Sequence, residues 1–100
     1  MEIMQCGSLK EVRDEIDRID SEMIRLLAER GGYVRQAAAF KKNRSDVKAP
    51  DRVAQVIEKV RAEAAALGAD VNIAKAVFRT MIDGFINAEM NEFDGKKEIE

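Results

Sequence analysis

The stretch SLKEVRDEIDRIDSEMIRLLAERGGYVRQAAAFK, residues 8–41, decides the fold. Ser8 and Glu11 have the S-x-x-E spacing of a capping box, in which a hydroxyl and a carboxylate satisfy the first free N–H groups of a helix. Apolar residues then recur at steps of three and four: Leu9, Val12, Ile16, Ile19, Met23, Leu26 and Leu27, followed by Val34, Ala37, Ala38 and Phe40. That is the period of one helical face. Gly31-Gly32 interrupts it at a cost of about 1 kcal/mol per glycine, but the stripe keeps its phase. The spacing predicts one helix over residues 8–41, spanning roughly 50 Å. A compact domain of 100 residues has a radius of gyration of only about 13 Å. Two shorter helices cannot cover such a rod along its length, so a homodimer with the long helices side by side is expected.

The remaining pattern is helical too. Residues 42–49 read as a polar loop. Pro50 opens a second helix at its first turn, where the missing N–H costs nothing. Val53, Val56, Ile57 and Val60 give that helix its stripe, and Leu67-Gly68 ends it with a glycine cap. Asp70 or Asn72 caps a third helix through Val77, Phe78, Met81, Ile82, Phe85, Ile86 and Met90 to about Phe93. The expected fold is therefore all-α, a single domain with one very long helix and two shorter ones. Its core covers about residues 8–93, and the charged tail 94–100 is expected to fray.

Composition narrows the function. A net charge of −2 provides no general footprint for nucleic acid. No apolar run is long enough to cross a membrane, and MEIMQCGSLK lacks the basic start and apolar core of a signal peptide. Cys6 is the only cysteine, so no intramolecular disulfide forms, as suits a reducing cytoplasm. Histidine is absent. That removes the usual general base, the His-activated nucleophiles and most zinc sites.

Arg13, Arg30 and Lys41 lie beside the apolar stripe or at its end. On a helix continuous to residue 41, Arg30 and Lys41 point within roughly 20° of each other and stand about 16 Å apart. Arg13 lies about 25 Å further along, rotated by about 100°, so only in an antiparallel dimer does it approach the other two. As ordinary surface cations they would instead form pairs such as Arg13–Asp17 and Asp14–Arg18, each worth a few tenths of a kcal/mol. Arg52 sits two residues past Pro50. Glu89 stands among Phe85, Ile86 and Met90, where an acid is a catalyst or a boundary residue.

The ordered segments L-x-x-V-R-D-E-I-D-R-I-D, L-L-A-E-R, A-A-A-F-K-K and A-P-D-R-V together resemble the all-helical (type II) chorismate mutases, a family that includes isochorismate pyruvate lyases. The resemblance covers essentially residues 8–93. It implies an intertwined homodimer of three-helix protomers with two active sites, each using both chains, and no cofactor or metal. It casts Arg13 of the partner subunit and Arg30 as carboxylate clamps, and Lys41 as donor to the ether oxygen and one carboxylate of the substrate. Arg52 completes the cationic pocket. Glu89 stands where many members have a glutamine that also donates to the ether oxygen.

The implied reaction turns chorismate into prephenate on the route to aromatic amino acids. This one-substrate rearrangement needs no proton transfer and no nucleophile, which suits a chain without histidine. Lys42, Asn43, Arg44 and Lys48 then belong to a loop that orders over the bound anion.

Two positions depart from the family pattern. Val53 follows Arg52 where many mutases have glutamate. Glu89 donates to the ether oxygen only when protonated, which predicts activity rising towards acidic pH. The A-P-D-R-V segment and the valine after Arg52 also resemble the lyases, which release pyruvate from isochorismate, while Glu89 and the general resemblance keep the mutase ahead; an amino-substituted chorismate is a third substrate. From a different class, the chain would be a helical dimer serving only as an interaction or regulatory module, since free-standing members often need a partner enzyme for full activity.

Overall fold

The computed structural model describes residues 2–99, with side chains described to Gly95. Four helices follow one another: α1 (Leu9–Ala38), α2 (Arg44–Lys48), α3 (Pro50–Leu67) and α4 (Val71–Ile99). No strand occurs among the described residues, so the all-α expectation holds. Contacts gather the chain into two units, Met1–Tyr33 and Val34–Glu100.

The first unit is the N-terminal part of α1. Its capping box forms: the Glu11 N–H donates to Ser8 Oγ at 3.1 Å, and the Gly7 N–H donates to the Glu11 carboxylate at 2.7 Å. Charged pairs line the polar side, with different partners from those expected. Asp14 takes Lys10 and Arg18 takes Glu15, while Arg25 reaches Glu22. The hydrogen bond from Arg25 holds the Glu22 carboxyl below its ordinary range. All these groups are exposed, so each pair contributes little. The apolar stripe is exposed as well: Leu9, Val12, Ile16, Ile19, Met23, Leu26 and Leu27 all face water in the single chain.

The second unit has a core. Ile57, Val60 and Ala64, at steps of three and four along α3, are buried, as is Ile82 of α4, and the two helices pack together. Pro50 starts α3, and Gly68 ends it at φ 74°, with its N–H turned back to Ala64 and Ala65. The Asp70 carboxylate accepts the Ile73 N–H at 2.9 Å and so caps α4.

Four expectations need correction. The first helix stops at Ala38, not residue 41; residues 39–41 close tighter turns, each N–H reaching the carbonyl three residues back. Residues 42–49 are not a loop throughout, because α2 occupies 44–48. The third long helix is not short: at 29 residues it nearly equals the 30 of α1. It also continues through 94–99, where a frayed tail was expected, while Glu100 lies outside the described residues.

Candidate active site

A cleft of about 800 Å³ opens in the second unit between the end of α1, the α2 segment and the C-terminal half of α4. That volume suits a small organic molecule. Lys41 reaches in from the turn after α1, and its Nζ donates to Glu89 Oε2 at 2.9 Å. The lysine side chain is 22% exposed and the glutamate 8%. Glu89 is the buried charged side chain of the core. Its carboxylate therefore depends on Lys41, because an unpaired charge left in such a place is expensive.

The wall opposite α4 is built by α2. Asn43 caps it, with Oδ1 accepting the Asp46 N–H at 2.8 Å, and the Asp46 carboxylate accepts the N–H of Lys42 at 3.0 Å. Val47, 3% exposed, seats the short helix in contact with α4. Arg44 forms an ion pair with Asp94 of α4. Lys42 and Arg44 add cations to the cleft, and Glu92 and Phe93 complete its α4 side.

Of the five residues singled out from the sequence, the structure brings Lys41 and Glu89 together. Arg13 and Arg30 belong to the first unit. Arg13 is exposed and makes no ion pair among the described residues, so the surface pair with Asp17 is not formed; Arg30 is half-buried. Arg52 is exposed in the first turn of α3, where it donates to Gln55 Oε1 at 2.7 Å; it is not among the residues lining the cleft. Since α1 ends before Lys41, the direction of that lysine is set by the turn and not by helical phase.

Sequence reasoning missed the structural part of α2 and the Arg44–Asp94 bridge. The Asn43–Asp46 spacing, a capping box with asparagine and aspartate in place of serine and glutamate, was the available signal for the helix. The bridge joins residues 50 apart and leaves no local trace.

The fold is all-helical, and the cleft gathers Lys41, Lys42 and Arg44 with Glu89 and Glu92. The sequence matches the chorismate mutase type II family over residues 12–90, and the chain belongs to that family. An isochorismate pyruvate lyase from Pseudomonas aeruginosa is 32% identical over 81 residues, covering 81% of this chain and 80% of that protein. No helix among the described residues is long and apolar enough to cross a membrane.

Proposed function

We propose that the protein is a chorismate mutase that rearranges chorismate to prephenate, with Lys41 as the residue that stabilises the transition state. The observation that carries this reading is the half-buried Lys41 ammonium held 2.9 Å from Glu89 at the wall of a cleft, at the positions where the family places its two donors to the ether oxygen. In the rearrangement the ether C–O bond breaks while a C–C bond forms between the enolpyruvyl chain and the ring. No atom enters or leaves. Negative charge grows on the ether oxygen, and a fixed ammonium aimed at it stabilises it more than it stabilises the substrate.

The remaining work is to hold the enolpyruvyl chain over the ring. Arg30 and Arg52 of one protomer and Arg13 of its partner are proposed to clamp the carboxylates, as guanidinium groups do in paired geometry. This needs a homodimer, and the exposed stripe of α1 supports one, since a lone chain leaves eight large apolar side chains of that helix in water, from Leu9 to Leu27. Glu89 accepts from Lys41 and so opposes the charge of the donor it holds.

A second reading, isochorismate pyruvate lyase, is favoured by the Pseudomonas aeruginosa relative and by Val53 after Arg52. It uses the same cleft and the same cations. One paired assay separates the two: chorismate followed for prephenate, isochorismate for salicylate and pyruvate, at about pH 5 and 7.5. Dominant prephenate supports the mutase; dominant salicylate and pyruvate replace it with the lyase. Failure of both substrates, alone and with a partner enzyme, leaves a binding module.

A further inference from the structure

We propose that Asp46 is a positioning residue for Lys41, an inference that rests on the role of Lys41 in the proposed reaction. Lys41 lies beyond the last residue of α1 and before the first of α2, so no regular helix dictates where its side chain goes. Yet its ammonium sits at one place, against the least exposed carboxylate among the described residues. Something outside the helices must hold the backbone there.

The restraints are two hydrogen bonds, one on each side. The N–H of Lys41 donates to the Ala38 carbonyl at 3.1 Å, which ties the residue back to α1. The next N–H, that of Lys42, donates to Asp46 Oδ2 at 3.0 Å. A restraint of this kind works only if its far end is fixed, and the far end here is fixed three times over. Asp46's own N–H is held by Asn43 Oδ1 at 2.8 Å. Its neighbour Val47 is the most deeply buried side chain of the core. Arg44, two residues before Asp46, is bridged to Asp94.

The common reference is α4. That helix carries Glu89, which receives the Lys41 ammonium, and Asp94, which receives Arg44. Lysine has four rotatable bonds and wanders unless its stem is fixed. Asp46 therefore converts the seating of α2 on α4 into a fixed origin for the Lys41 side chain. When a reacting group is displaced by about 1 Å, rate falls by as much as about 100-fold. Losing the tie should lower kcat more than it weakens binding, because the clamping arginines are untouched.

The test uses Asp46→Ala and Asp46→Asn in the full chain. Asparagine keeps an oxygen that accepts the Lys42 N–H, and alanine does not. Asp46→Ala is expected to lower kcat at least about tenfold with KM changed less than about threefold, whereas Asp46→Asn stays within about threefold of the parent on both. Hydrogen exchange of the Lys42 amide should accelerate in the alanine variant alone, and the Lys41 side-chain NMR signal should move towards that of the exposed lysines. A purely structural role lowers the unfolding temperature while each folded molecule keeps its kcat; that result overturns the inference. So does an asparagine variant as impaired as the alanine one, because the carboxylate charge would then be what matters. If the parent turns over neither chorismate nor isochorismate, the functional reading fails, and the Lys42 and Lys41 NMR signals still decide the positioning: unchanged in Asp46→Ala, they overturn it.

Discussion

In the second unit the apolar residues of α3 close on α4 and leave a cleft with a paired lysine and glutamate at its wall. In the first unit an equally regular stripe along α1 stays in water: Ile16, at its middle, is 49% exposed. Both stripes obey the same helical period. They differ in having a partner: Val34–Glu100 supplies its own core, whereas Met1–Tyr33 offers a face without one, beside two of the arginines proposed to hold substrate. Periodicity tells which face is buried; it does not tell whether the covering surface is in the same chain. On the proposed function, the unit with its own core provides the charge for chemistry, and the apolar face of the other unit becomes useful only against a second copy.

The sharpest way to break this contrast is Ile16→Glu, which puts a charge in the middle of the exposed stripe. If two copies meet there, a buried unpaired carboxylate prevents association. The variant should sediment as a monomer at concentrations where the parent is a dimer, and turnover should fall by about 1,000-fold or more, since Arg13 would no longer reach a partner's site. A parent that is already monomeric, or a variant that is both dimeric and active, ends the two-copy reading.

Lys41→Ala attacks the other unit. Loss of one donor aimed at developing charge typically costs about 100- to 1,000-fold in kcat, and that is the expected loss here, with the dimer intact by sedimentation. Part of any damage to stability would come from Glu89, left without its ammonium; the double variant Lys41→Ala/Glu89→Gln should recover that stability without recovering turnover. Near-parental kcat in Lys41→Ala would remove the lysine from the mechanism.

Much of this contrast was readable beforehand, and what was not has physical causes. Ser8 with Glu11, Pro50 and Gly68 mark helix ends through local chemistry, so the start of α1 and both limits of α3 were legible. The end of α1 was not, because Phe40 continues the apolar phase although the backbone has already tightened into turns after Ala38. In α2 a five-residue helix offers only Val47 as an apolar marker, too little for a period. The extension of α4 past Phe93 carries polar residues that show no stripe. Within the site, Lys41 and Glu89 are 48 residues apart; no spacing rule joins them, and only the family resemblance put them in one pocket. Arg44–Asp94 had neither guide.

Glu89→Gln refines the comparison inside the cleft. With glutamate, the side chain accepts from Lys41 and opposes its charge. With glutamine a donor to the ether oxygen is present, and Lys41 is no longer neutralised by its partner. The variant should turn over chorismate faster than the parent at about pH 7.5. A variant slower than the parent removes position 89 from the donors.

The smallest effect concerns the two junctions of the second unit, which use the same left-handed backbone with different residues. Gly68 has φ 74° and ψ 19°, and Ala49, between α2 and α3, has φ 41° and ψ 58°. Glycine adopts that region freely, whereas an L-residue is penalised by about 1–2 kcal/mol. Pro50 crowds the residue before it further. Ala49→Gly removes the strain but adds disorder to the unfolded chain, so the net gain should be about 0.5–1 kcal/mol, read from urea unfolding. Gly68→Ala should lose about 1 kcal/mol by the same measurement: a Cβ there meets nothing within 4 Å, so its cost is conformational and not steric crowding. If both substitutions shift stability in the same direction, backbone strain does not distinguish the two junctions, and the left-handed alanine beside the candidate site needs another cause.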